Sequence, residues 1–88
     1  MYAVELLPSA AKQLEVLDRS IQRRVARKIE QLAGEPRGPG SVKLRGAEDI
    51  WRLRVGDYRI LYRIEDARLI VLVIRIGHRR DVYRAGAQ

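Results

Sequence analysis

The stretch Ile50–Ile64, "IWRLRVGDYRILYRI", carries two alternating runs separated by Gly56-Asp57. Strict alternation of apolar and polar residues is the pattern of a strand with one face buried, and a Gly-Asp pair between two such runs fits a two-residue hairpin turn. Pairing 55 with 58, 54 with 59, 53 with 60 and 52 with 61 puts Trp51, Leu53, Val55, Tyr58, Ile60 and Tyr62 on one face. Arg52, Arg54, Arg59, Leu61 and Arg63 share the other. Arg54 and Arg59 then stand directly opposite each other, and like charges so placed destabilise a sheet. A strand face with no other task would mix Thr, Glu and Lys. Four arginines point instead to a polyanion, because the guanidinium stays charged at any working pH and binds phosphate through two parallel hydrogen bonds.

Working outward, "RLIVLVIRI", Arg68–Ile76, is nearly all apolar and reads as the central strand of the sheet, covered on both sides, with the arginine-bearing strands beside it and nearer one edge. "SVKL", Ser41–Leu44, reads as a short strand. Asp66-Ala67 is a weaker turn signal than Gly56-Asp57. Upstream, "YAVELL", Tyr2–Leu7, is a strand stopped by Pro8, with Ser9 as an N-cap. Ala10, Leu14, Leu17 and Ile21 recur at helical spacing, as do Ile21, Val25, Ile29 and Leu32. "DRS", Asp18–Ser20, breaks the two stripes. The spacing predicts helices over about 9–18 and 20–33, an antiparallel pair. Arg23, Arg24, Arg27 and Lys28 lie off the stripe and read as a solvated helix face. "GEPRGPG", Gly34–Gly40, is a loop too short to separate domains. The expected fold is α+β in one domain spanning 1–88: an N-terminal strand, a helix pair, then a three- or four-stranded antiparallel meander with the helices on one face.

Composition narrows the chemistry. Among 88 residues there is no cysteine and one histidine, His78, which leaves no thiolate or histidine-rich metal site. The longest apolar run, Leu69–Ile74, is too short to span a bilayer, and the N-terminus lacks a signal-peptide pattern, so the cytoplasm is the expected location. Net charge is +7, and it is lopsided: residues 1–36 hold 6 basic and 5 acidic side chains, residues 37–84 hold 12 and 6. Such a basic half suits nucleic acid, an acidic protein or an anionic surface. The end, "IGHRRDVYRAGAQ", gathers His78, Arg79, Arg80, Tyr83 and Arg84, which is either a basic tail or the parts of a nuclease. Those parts are a group titrating near neutrality, phosphate stabilisers and a stacking ring.

The order of strand, helix pair, "KLRG" (Lys43–Gly46), alternating basic strand, "DYRILY" (Asp57–Tyr62), apolar strand and "IGHRRDVY" (Ile76–Tyr83) resembles the RelE/ParE superfamily of bacterial and archaeal toxins, on its RelE side. The resemblance runs along nearly the whole chain and is strongest over 43–83. It implies an mRNA interferase of a type II toxin–antitoxin pair. Such a toxin enters the ribosomal A site of the 70S ribosome and cuts mRNA there through the substrate's own 2′-hydroxyl, without a metal or other cofactor. A cognate antitoxin holds it inactive, and no membrane is involved.

Carried over by position, the resemblance makes Arg54, Arg59, His78, Arg79 and Tyr83 the catalytic candidates. Lys43, Arg45, Arg52, Arg63 and Arg80 are expected to hold RNA. The chain departs from the best-known members at 52 and 54, where arginine stands for lysine. Arginine neutralises developing charge but is a poor base. His78 becomes the candidate for removing the 2′-hydroxyl proton, with Tyr83 next, and a third possibility is orientation without a strong base. Two other readings stay open: a ParE-like poison of DNA gyrase, and a non-catalytic RNA-binding relative.

Overall fold

The computed structural model describes residues 1–46 and 49–82. The alternating stretch folds as the hairpin expected of it. β3 (Ile50–Val55) and β4 (Tyr58–Glu65) pair antiparallel with 55 opposite 58, 54 opposite 59, 53 opposite 60 and 52 opposite 61. Gly56 takes φ +58°, while Asp57 has no positive φ. A left-handed first turn residue alone is the II′ pattern, which glycine adopts without steric cost and which matches the twist of the two strands.

Around it lie β1 (Ala3–Leu6), α1 (Pro8–Glu15), α2 (Arg19–Leu32), β2 (Ser41–Lys43) and β5 (Ile70–His78). The sheet has five strands in the order β1-β5-β4-β3-β2. β2 to β5 form the antiparallel meander, and β1 joins β5 in parallel. That order corrects one expectation. The arginine-bearing β4 is the middle strand, and the apolar β5 is the inner strand between β4 and β1. The short β2 docks on β3 and β1 docks on β5, so each flank gains one strand and the hairpin moves to the centre. The Asp66-Ala67 connection is a 3₁₀ turn over Asp66–Arg68 closed by Leu69 at φ 54°, longer than a two-residue turn.

Ser9 is not the cap of α1. Leu7 occupies the N-cap and Pro8 opens the helix, where its fixed φ is already helical and its missing N–H would have had no partner. α2 starts at the expected break, with Asp18 at its N-cap but without a side-chain capping bond. Both helices cover one face. Ala10, Val25, Ile29 and Leu32 pack on Leu53, Val55, Ile60, Tyr62, Val71, Val73 and Ile76. Tyr62 is fully buried and its hydroxyl donates to the Pro36 carbonyl at 2.6 Å, tying the 34–40 loop to the core. Burial pushes the Tyr62 phenol above its ordinary pKa.

Two irregularities position the opposite face. Pairing of β4 with β5 slips between Leu61 and Tyr62: Leu61 is opposite Arg75, but Tyr62 is opposite Val73. Ile74 is thus the extra residue of a β-bulge, and the bulge reverses which face β5 residues take. Before it Val71 and Val73 face the helices, and after it Ile76 does. At the far end, Arg37 donates to both carboxylate oxygens of Asp66 (3.1 and 2.8 Å), Tyr2 donates to the same carboxylate at 2.6 Å, and the Arg37 guanidinium lies 5.6 Å over the Trp51 ring. Arg37 and Tyr2 hold the Asp66 carboxyl down to about 2. This cluster staples the N-terminus, the proline loop and the β4–β5 turn together.

Candidate nucleic-acid interface

The sheet face away from the helices carries the cations. On it, direct cross-strand neighbours form rows. Arg54, Arg59 and Gly77 make one row, Arg52, Leu61 and Arg75 the next, and Ile50, Arg63 and Leu72 a third. Arg52, Arg54, Arg59 and Arg63 therefore share the face that alternation assigned to them. Arg59 is only 8% exposed. Its Nη1 donates to the carbonyls of Gly56 (3.1 Å) and Tyr58 (3.0 Å), so the guanidinium is held against the hairpin turn with its remaining N–H groups available. Arg54 and Arg63 are exposed and Arg52 is half-buried. Gly77, opposite Arg59, lies close under the buried Val82: a Cβ there would stand 3.4 Å from the Val82 Cβ.

Arg79 is brought to the same end. Its N–H donates to the Asp57 carbonyl at 2.7 Å, and its Nε lies 4.0 Å from the Asp57 carboxylate. The hairpin turn thus gathers Arg54, Arg59 and Arg79. Arginines beside one turn suit an anion with several acceptor oxygens.

Other candidates stand apart. His78 is opposite Tyr58 on the helix side of the sheet, with ring centroids 5.6 Å apart in an edge-on contact. Its Nδ1 accepts the Arg80 N–H at 3.2 Å. A neutral imidazole held this way carries its proton on Nε2 and presents a donor there, not a lone pair. Lys43 is opposite Trp51, also on the helix side, and its Nζ lies 3.9 Å from Asp49. Arg45 and Arg80 are exposed in the turns after β2 and β5. Tyr83 lies outside the described residues. Among the described residues no three His, Cys, Asp or Glu side chains converge, and no helix is long and apolar enough to cross a membrane.

A family described as the ParE toxin of type II toxin–antitoxin systems, parDE, matches residues 4–83. The chain belongs to the RelE/ParE toxin superfamily. Its relatives place it on the RelE branch. It is 34% identical over 91 residues to a RelE-like toxin protein of Escherichia coli, covering 99% of this chain and 95% of that one. It is 29% identical over 86 residues to the mRNA interferase toxin RelE of Escherichia coli strain K12, covering 93% and 90%. The fold is similar to the toxin in the crystal structure of the intact E. coli RelBE toxin–antitoxin complex, with a TM-score of 0.79 at 25% identity over 89% of this chain and 96% of that one.

One cation of this RelE-branch toxin escapes sequence reading. Strict period two puts Arg75 on the side of Val71 and Val73, facing the helices. The bulge at Ile74 turns it to the side of Leu61 and Arg52, adding a fifth arginine to the face. An arginine inside a buried-looking strand was the available signal, since an unpaired guanidinium is rarely left in a core.

Proposed function

We propose that this chain is a ribosome-dependent endoribonuclease toxin that cuts mRNA in the ribosomal A site and is held inactive by a cognate antitoxin. The observation that carries the reading is Arg54 set directly against Arg59 at the hairpin turn, with Arg79 tied to the same turn. In the proposed step the 2′-oxygen attacks the adjacent phosphorus and gives up its proton. The bond from phosphorus to the 5′-oxygen breaks, that oxygen takes a proton, and the product is a 2′,3′-cyclic phosphate. Charge accumulates on the non-bridging oxygens, where prepositioned guanidinium groups stabilise it. Arg54, Arg59 and Arg79 take that role, and Arg52, Arg63 and Arg75 hold the strand, with Lys43, Arg45 and Arg80 at the margins.

Proton transfer is the weaker part of the machinery. His78 is one candidate for moving a proton, but it sits across the sheet from the arginines and its Nδ1 already accepts the Arg80 N–H. Tyr83 is the other candidate. A general acid or base is worth roughly 10²–10⁴-fold. His78→Ala losing less than threefold in single-turnover cleavage removes it from the chemistry and leaves orientation and charge stabilisation as the main terms.

Mapping of mRNA 5′ ends after brief induction tests the whole reading. Cuts confined to codons of translated messages are expected; full-rate cleavage of naked RNA sinks ribosome dependence. The ParE description of the matching family favours a second reading, a gyrase poison. Intact mRNA together with a DNA-damage response supports that one.

A further inference from the structure

Three of the basic residues of α2 gather at one edge of the sheet. β2 pairs with β3 only as far as Leu53, so the outer edge of β3 has no strand beside it at Arg54 and Val55, next to the Gly56 turn. There Arg24, Arg27 and Lys28 of α2, with Arg54, Val55 and Gly56, line a recess of about 200 Å³. The Arg24 guanidinium lies against the hairpin turn: its Nη2 and Nη1 stand 3.4 and 3.6 Å from where a Gly56 Cβ would be. Four cations line the recess and no acidic residue does. Among the described residues none of these four enters an ion pair. Cations gathered around a recess without an anion repel one another, and a phosphate relieves that repulsion while using the planar donor forks of two arginines.

We propose that this recess binds a second phosphate of the message strand, one flanking the scissile phosphate. Arg54 borders both the recess and the Arg54–Arg59 row, so a single strand crossing the open edge of β3 reaches both. The inference rests on the RNA-cutting reading above and extends it with a subsite that positions substrate and does no chemistry.

The test uses the full chain and an RNA oligomer with a 2′-deoxy nucleotide at the cut position, without ribosomes, measured by fluorescence anisotropy across salt concentrations. The Arg24→Gln/Arg27→Gln variant is expected to bind about tenfold more weakly near 0.1 M salt. Its slope of log K against log salt should fall by about 0.7, the value for one lost phosphate contact on a single strand. The charge-matched control Lys12→Gln/Arg68→Gln, at exposed sites away from the recess, should stay within twofold. Replacing the flanking phosphate by a neutral methylphosphonate should weaken the parent by a similar factor and the double variant by less than twofold.

Equal losses in the double variant and the control overturn the proposal. So does a loss confined to antitoxin binding or to empty ribosomes, or an absence of oligomer binding by the parent. Thermal melting verifies that both variants fold. The underlying reading fails separately: a parent that cuts no message sinks it. A parent that cuts, with a double variant that binds the oligomer normally, sinks the recess alone.

Discussion

Arg54→Thr is expected to make the protein more stable and less active. Arg54 and Arg59 are directly opposed on β3 and β4, and Arg54 has no ion pair among the described residues. Opposed residues have Cβ atoms about 5 Å apart. Two guanidinium charges roughly 7 Å apart in water repel by about 0.6 kcal/mol. Threonine removes that repulsion and adds a few tenths of a kcal/mol in strand preference. A gain of about 0.5–1 kcal/mol raises Tm by roughly 2–8 °C in a domain of this size. The gain should shrink in about 1 M salt, where screening acts within roughly 3 Å. The same change deletes a charged hydrogen bond to phosphate worth about 1.5–3 kcal/mol, or ten- to hundredfold in kcat/KM. Thermal melts at two salt concentrations and single-turnover cleavage on programmed ribosomes measure both sides. Arg54→Lys should restore the repulsion and part of the activity. A variant that melts lower than the parent, or that cuts within threefold of it, refutes the assignment of this pair to phosphate.

Arg59→Lys keeps the charge but loses the two-carbonyl grip of Nη1 on the turn. It should cost about 1 kcal/mol in stability and at least tenfold in cleavage rate, read by urea denaturation and single-turnover kinetics. Tyr62→Phe strands the buried Pro36 carbonyl; a loss of about 1.5 kcal/mol, a fall in Tm of roughly 6–12 °C, is expected from calorimetry. Asp66 has its folded pKa lowered from 3.8 to about 2, so its contribution is present above the ordinary value and fades as pH falls through about 2. Urea midpoints taken between pH 5 and pH 2 should show a small acid loss that Asp66→Asn lacks; both groups are exposed, so the effect is modest.

The hairpin was legible because its information is local. Gly56 supplies the turn, alternation supplies the faces, and together they place Arg54 against Arg59 without further knowledge of the fold. The helix stripes were legible for the same reason, through Val25, Ile29 and Leu32. Helix starts were less so: Ser9 is a better cap by chemistry than Leu7, but Pro8 opens the helix one residue earlier. The candidate site was legible in part. Arg52, Arg54, Arg59 and Arg63 share a face as expected, and Arg79 joins them through the Asp57 carbonyl. His78 and Lys43 lie on the other side, because the last residue of β5 and the last of β2 take their faces from pairing partners that spacing along the chain does not reveal.

Local patterning settled the turn, the arginine row and the α+β class, since each depends on residues within a few positions of one another. Tertiary structure decided the remainder through contacts across long sequence separations. Parallel docking of β1 on β5 makes the hairpin central. One extra residue at Ile74 reverses a face and adds Arg75 to the cluster. Packing of α2 against the open end of β3 turns a row of helix cations into a recess. A sheet face is set by register, and register by what pairs alongside, so a single inserted residue relocates a charge that periodicity alone would bury.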